Sequence, residues 1–213
     1  AVGPQSNTEL PKAWNTMLQN TQGRLTKGLL LGICLAVFFL LAYAAYEENF
    51  GADWYHYQSQ YRRQLIEQAS TERDRQAAER FTVGQKQLYL PDLDRIDRCI
   101  TCHVSIDNPA MKDADQPLKA HPGDIMQNHP KEKFGCTICH DGQGRATVAA
   151  DAHGHVHNWT EPMLAHAEMD RSCAKCHMER SLPGAGRYNK AMDLFYEHGC
   201  LSCHKVRGQG GDI

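Results

Sequence analysis

Apolar residues are spread unevenly along this chain, and their spacing changes character three times. From Gly28 to Tyr46 there is an unbroken 19-residue stretch without a single charge, ended abruptly by Glu47 and Glu48. That length just suffices to cross a hydrocarbon layer as a helix. From Asp53 to Arg80 neither Gly nor Pro occurs, and Trp54, Tyr57, Tyr61, Leu65 and Ala69 recur at helical spacing. They predict one narrow apolar stripe, with Arg62, Arg63, Glu67, Glu72, Arg73, Asp74, Arg75, Glu79 and Arg80 covering the other faces. If helical throughout, residues 47–80 would extend about 50 Å at 1.5 Å per residue. So narrow a stripe is not stable alone in water, so its Trp/Tyr half is expected to dock on a partner subunit. Beyond residue 81 periodicity fades. Asn108-Pro109, His121-Pro122-Gly123, His129-Pro130 and Asp141-Gly142-Gln143-Gly144 punctuate the sequence, which predicts loops and short helices.

These shifts divide the chain into residues 1–27, a polar N-terminal segment; 28–46, a transmembrane helix; 47–80, an amphipathic helical stalk or docking helix; 81–180; and 181–213. Ser181-Leu182-Pro183-Gly184-Ala185-Gly186 reads as a linker, followed by a short helix from Tyr188 to His198. The expected fold class is mainly α with extensive loops and little β structure. The apolar run has two other readings, a buried core helix and a cleavable export signal, and Ala42-Tyr43-Ala44 has the look of a cleavage site. An uncleaved anchor is favoured, because the chain begins at Ala1 and still contains the run; removal of an initiator Met would leave such a start. Lys12, Arg24 and Lys27 precede the run, while Glu47, Glu48 and Asp53 follow it. The positive-inside bias then puts the N-terminus in the cytoplasm.

Composition narrows the function classes. Net charge is -2, which argues against a nucleic-acid footprint. Aromatic content is 8%, and mean hydropathy is -0.57. So polar a chain has little with which to fill a core unless something else supplies apolar surface.

The chemistry is carried by the pentapeptide Cys-x-x-Cys-His, which occurs four times. Its cysteines are Cys99 and Cys102, Cys136 and Cys139, Cys173 and Cys176, and Cys200 and Cys203; its histidines are His103, His140, His177 and His204. The pattern is the attachment signature of a c-type haem. Two thiols add to the haem vinyl groups, and the adjacent imidazole becomes the proximal iron ligand. Four Cys pairs could instead build two Cys₄ zinc sites, or disulfides. Histidine is 12 of 213 residues, so its chance appearance after all four pairs has odds of roughly one in a hundred thousand. Disulfides across two-residue gaps would be strained. Four c-type haems are therefore expected, with residues 81–180 a trihaem domain. Because haem is attached to this motif on the outer side of the bacterial cytoplasmic membrane, the C-terminal part belongs in the periplasm, in agreement with the charge bias. Cys34, inside the apolar run, is expected to be an inert buried thiol.

Distal ligands decide what each haem can do. A second His gives a saturated electron-transfer iron, Met raises the potential, and an open position permits chemistry. Eight histidines lie outside the motifs, and six of these fall between Cys102 and Cys173. His121, His129, His153 and His157 are the expected distal pool for the first three haems, without assigned pairs, and His155 and His166 are runners-up. His198, two residues before Cys200, is poorly placed for the distal face of its own motif's haem. Nine residues follow His204 and none is His or Met. The fourth haem therefore takes an upstream ligand, keeps an open position, or belongs to a chain that continues. The last is favoured. The 37-residue steps from Cys99 to Cys136 and from Cys136 to Cys173 are weak support for a repeat, since little else in the intervals is alike.

Two resemblances follow from these residues. Leu90-Pro91-Asp92-Leu93, Asp97-Arg98-Cys99, His121-Pro122-Gly123, Lys133-Phe134-Gly135-Cys136, Gly142-Gln143-Gly144-Arg145-Ala146-Thr147 and His157-Asn158-Trp159 resemble membrane-anchored multihaem c-type cytochromes associated with bacterial bc-type quinol-oxidising respiratory complexes. The likeness covers roughly half the chain. Tyr188–Ile213, with Leu194-Phe195, Gly199-Cys200, Cys203-His204-Lys205 and Gly208-Gln209-Gly210-Gly211, resembles the opening of a class I monohaem cytochrome c, though the chain ends before the distal Met of that family. Single-anchor tetrahaem quinol dehydrogenases match less well, since their first haem follows the span closely. The resemblance implies electron relay from integral membrane subunits of a quinol-oxidising complex to a soluble periplasmic acceptor. A multihaem reductase of a nitrogen or sulfur oxyanion is the alternative, and would need one five-coordinate haem. A haem sensor has no cytoplasmic output domain to act through in residues 1–27. Whether the chain is itself an enzyme stays open at this point; a subunit role is favoured over a catalytic one.

Overall fold

A computed structural model describes residues 12–211. The first eleven residues of the predicted N-terminal segment lie outside it. The chain is mainly helical, 55% helix and 4% strand, and divides between Gly51 and Ala52 into two compact units.

The first unit is built on helix α1 (Lys12–Tyr46), which continues into a π-helical turn at Glu47–Gly51. The helix starts well before the apolar run does, because nothing between Lys12 and Lys27 breaks it; Gly23 alone does not. One helix among the described residues is long and apolar enough to cross a membrane, and none of its apolar window is buried by the chain. Leu29 through Leu41 keep 48–68% of their large apolar side chains exposed. A core helix would bury them, so the core-helix reading fails. Cys34 is likewise exposed rather than buried. Among the described residues nothing covers it, and on a membrane-spanning helix its cover would be lipid rather than protein.

The second unit opens with α2 (Asp53–Glu67) and α3 (Glu72–Glu79). The stretch is helical as expected, but it is not one rod. Thr71 caps α3: its hydroxyl oxygen accepts from the Asp74 N–H (3.1 Å) and its hydroxyl donates to the Asp74 carboxylate (2.7 Å). This reciprocal cap starts a new helix, and α3 folds back on α2, where Arg62 donates to the Glu79 carbonyl at 3.0 Å. The apolar stripe of α2 docks on its own chain. Tyr61 packs with Met111, Leu118 and Ala120, joined by Tyr57, Leu65, Phe81, Val104 and Ala114.

Next comes a hairpin of β1 (Leu88–Leu90) and β2 (Arg95–Asp97), antiparallel, with Leu88 opposite Asp97 and Leu90 opposite Arg95. One-turn helices follow: α4 (Ile125–Asn128), α5 (Lys131–Phe134), α6 (Thr137–His140) and α7 (Ala149–Ala152). A 3₁₀ segment at His166–Lys175 precedes α8 (Gly186–Glu197). The expected linker at 181–186 does not separate two bodies. Asp170 accepts from the amides of Arg187 (2.7 Å) and Tyr188 (3.1 Å), capping α8. Tyr188 and Met192 are buried with Ala185 against Cys173, Met178, Leu182 and Tyr196.

Candidate functional site

Each Cys-x-x-Cys-His motif closes by the same local bond. The amide of the motif histidine donates to the carbonyl of the first cysteine, at 2.9 Å (His103), 3.0 Å (His140), 2.8 Å (His177) and 2.9 Å (His204). A single helical turn thereby brings both sulfurs and the imidazole to one side, because positions three and four apart share a face. All eight motif cysteines are free of disulfides.

The motifs are tied together in chain order. Asp97, at the end of β2, accepts from the Cys99 amide (3.1 Å) and from the amides of Cys136 (2.7 Å) and Thr137 (2.8 Å). Motif 2 joins motif 3 through Ser172, which donates to the Cys139 carbonyl at 2.6 Å, and Lys175, which donates to the Ile138 carbonyl at 2.9 Å and pairs with Asp141. Motif 3 meets the end of motif 4 through Arg207, which donates to the Ala174 carbonyl at 2.6 Å. Helix α2 holds motif 1 from the other side. The wholly buried Gln58 donates to the carbonyls of Thr101 (2.7 Å) and Gly84 (2.9 Å) and accepts from the Gly84 amide (2.9 Å).

The non-motif histidines are not scattered at random. His153 faces His103 with ring centres 6.4 Å apart, His121 faces His140 at 6.2 Å, and His129 faces His177 at 6.1 Å. A metal–imidazole bond is about 2.0–2.1 Å and the ring centre lies roughly 1 Å further, so two imidazoles flanking one ion sit about 6 Å apart. Edge-to-face ring contact also spans about 4.5–7 Å, so the spacing has room for an ion without requiring one. Further hydrogen bonds orient these rings. The Nδ1 atoms of His121 and His129 sit 2.9 Å and 3.2 Å from the carbonyls of Pro122 and Ile125, and that of His177 lies 3.0 Å from the Glu179 carboxylate. An occupied Nδ1 leaves Nε2 for a metal. Burial, then the neighbouring His153 and His140, hold His103 below the usual imidazole range, against a raising bond to the Pro117 carbonyl. His140 is lowered by burial and then by His121. Both are thus held neutral, the form that ligates.

Of the four expected distal histidines, the structure brings His121, His129 and His153 opposite motif histidines. His157 is exposed, and no motif histidine ring faces it among the described residues. His155 lies 6.5 Å from His153, and His166 and His198 are exposed. His204 is exposed as well, and among the described residues no second histidine faces it. Sequence reasoning missed Asp97 and Gln58 as the residues that clasp the motifs. A signal existed only for Asp97, in its place two residues before Cys99.

Two further observations bear on which group these residues fit. The Trp54 indole N–H is buried with no partner, on the helix whose Asp53 acts electrostatically on Cys102. An orphaned buried donor marks a place where another polar group belongs. The Cys99 and Cys102 thiols, in contrast, are not poised as thiolates. Burial, then Asp53, pushes Cys102 up to about 11. Cys99 is raised by its hydrogen bond to Cys136, by burial and by Asp97. Among the described residues, the convergent group of metal donors is Asp97, Cys99 and Cys136, within 4.8 Å of one another. No four-sulfur cluster forms there. At motifs 1, 2 and 3 the residues fit haem, with a sulfur pair and an imidazole on one turn and a second imidazole across a gap wide enough for an iron. Motif 4 offers the sulfur pair and one imidazole. Compared with known protein families, curated proteins and solved structures, the chain matches none.

Proposed function

We propose that this chain is a membrane-anchored tetrahaem c-type cytochrome subunit. In this reading it relays electrons from the integral membrane subunits of a bc-type quinol-oxidising complex to a soluble acceptor in the periplasm. The observation that carries the reading is the set of three imidazole pairs at 6.1–6.4 Å, each joining a motif histidine to one from outside the motifs. Bound haem would supply one-electron iron couples, and two imidazoles on each of three irons would leave those irons no open position.

The chain's own residues do the rest. Cys99, Cys102, Cys136, Cys139, Cys173, Cys176, Cys200 and Cys203 would hold the four groups covalently. His103 with His153, His140 with His121, and His177 with His129 would ligate the first three. The links through Asp97, Ser172 and Arg207 keep neighbouring motifs adjacent in the order 1, 2, 3, 4, so the attachment points form a row. Helix α1 would anchor the row to the cytoplasmic membrane, with its N-terminus inside and the motifs in the periplasm.

His204, exposed and faced by no second histidine among the described residues, favours a second reading for motif 4 alone, as an open-site reductase centre. One preparation distinguishes them: the full-length protein extracted from membranes, assayed for haem per chain, bound zinc, companion subunits and carbon monoxide binding after reduction. The expected result is four haems per chain, integral membrane subunits that come along, quinol-driven reduction only in their presence, and carbon monoxide at no more than one haem. Zinc without haem overturns the cytochrome reading. A lone chain that oxidises quinol unaided overturns the subunit reading.

A further inference from the structure

Asp97 is wholly buried, and its place is unusual. One oxygen accepts from the amide of Cys99 (3.1 Å) and the other from the amides of Cys136 (2.7 Å) and Thr137 (2.8 Å). The carboxylate therefore sits between the first cysteines of two motifs, with both sulfurs and a carboxylate oxygen inside 4.8 Å of one another. Space for it is made by Gly135, whose φ of +68° suits glycine. A Cβ there would come 2.5 Å from Leu90 Cδ1 and 3.1 Å from Asp97 Oδ2. No Lys or Arg pairs with Asp97 among the described residues. Arg98, its neighbour in sequence, turns instead to Gln87 (3.0 Å) and the Arg145 carbonyl (3.1 Å).

Burial alone would raise this carboxyl. In the haem-free chain the Cys99 thiol and the amides of Thr137, Cys136 and Cys99 outweigh burial and hold it below the usual range. Haem attachment removes the thiol proton, while the three amide bonds, which favour the carboxylate, remain. Amides donate hydrogen bonds but carry no net charge. A full negative charge thus stays in the interior, and charges act strongly where water is excluded.

We propose that Asp97 is a shared positioning residue that sets the potentials of the haems at motifs 1 and 2 together. The inference rests on the haem reading above. The ferric state carries one more positive charge than the ferrous, so a fixed carboxylate beside the attachment edges of both groups favours oxidation of both. The two then form a matched low-potential pair, across which an electron moves with little driving force in either direction. The histidines of motifs 1 and 2 are also close enough for His140 to act electrostatically on His103.

The test is potentiometric titration of the full-length protein, followed haem by haem through optical and paramagnetic spectra. In Asp97→Asn, two of the four midpoints move positive and the other two stay. The expected size is roughly a tenfold change in the oxidised-to-reduced ratio, about 59 mV for a one-electron couple. Asp97→Glu keeps the charge but displaces it by one methylene, and shifts the same two midpoints by less. If Asp97→Asn does not accumulate, Asp97→Glu carries the test alone. A shift at one haem only, a uniform shift of all four, or no shift in an assembled variant overturns the proposal. A residue that merely held the backbone would not move two midpoints in one direction. A parent protein without haem removes the haem reading instead, and the haem count taken first separates the two failures.

Discussion

Motif 1 and motif 4 share a pentapeptide and the same closing hydrogen bond, yet their surroundings have little in common. Around motif 1, Gln58 reaches from α2, Asp97 from β2, and His153 from a segment 50 residues downstream of His103. Around motif 4, Arg207 makes an exposed link to Ala174, and His204 lies open to solvent. The pentapeptide specifies only a turn, because the bond that closes it spans four residues. Coordination and anchoring are long-range properties, supplied by whatever the fold brings near. The pentapeptide can therefore repeat in a sequence without its surroundings repeating.

This contrast can be broken most forcefully at motif 2, the hub between motifs 1 and 3. Cys136→Ala with Cys139→Ala should lower accumulation of the protein at least several-fold, because the tie to Asp97 and the seat of Ser172 both depend on that turn. Cys200→Ala with Cys203→Ala should leave a protein near parental abundance carrying three haems. Haem-stained membranes and haemochrome quantification read both, and equal losses would erase the distinction between the motifs. A smaller effect tests the histidine pairs. His153→Met, His121→Met and His129→Met should each raise the midpoint of one haem, since a thioether favours ferrous iron more than imidazole does. His157→Met should move none, and a shift in that variant would mean the facing rings had been misassigned. The smallest effect compares the ties themselves. Gln58→Leu removes buried bonds to Thr101 and Gly84 and should destabilise the protein by about 2 kcal/mol in denaturant titration. Arg207→Ala, at an exposed link, should stay within about 0.5 kcal/mol.

Much of this architecture is legible in the residues, and the illegible part has a common cause. The uncharged run, the helical stripe beginning at Trp54 and the four pentapeptides are local patterns, read at spacings of two to seven residues. The break between α2 and α3 was legible too: Thr71 and Asp74 form a capping pair, overlooked because no Gly or Pro marks it. Three of the four expected distal histidines face motif histidines, but nothing in the sequence pairs His121 with His140 rather than with His103. Those pairings close loops of about 20 to 50 residues, beyond the reach of periodicity. The fate of the Trp54–Tyr61 stripe was invisible for the same reason. A narrow apolar face demands a cover, but the sequence does not say whether a partner or residues 111–120 provide it.

The clasps also impose a timetable. Gln58 finds its acceptors 26 and 43 residues further on, and Asp97 finds its donors 39 and 40 residues further on. At synthesis rates of about 5–20 residues per second, 39 residues take roughly 2–8 s to emerge. Until then neither the first cysteine pair nor the second can be shut away by its clasp. On the haem reading proposed above, a nascent chain of this design would hold the attachment points of motifs 1 and 2 open for seconds before its clasps could close, a window set by the length of the loops.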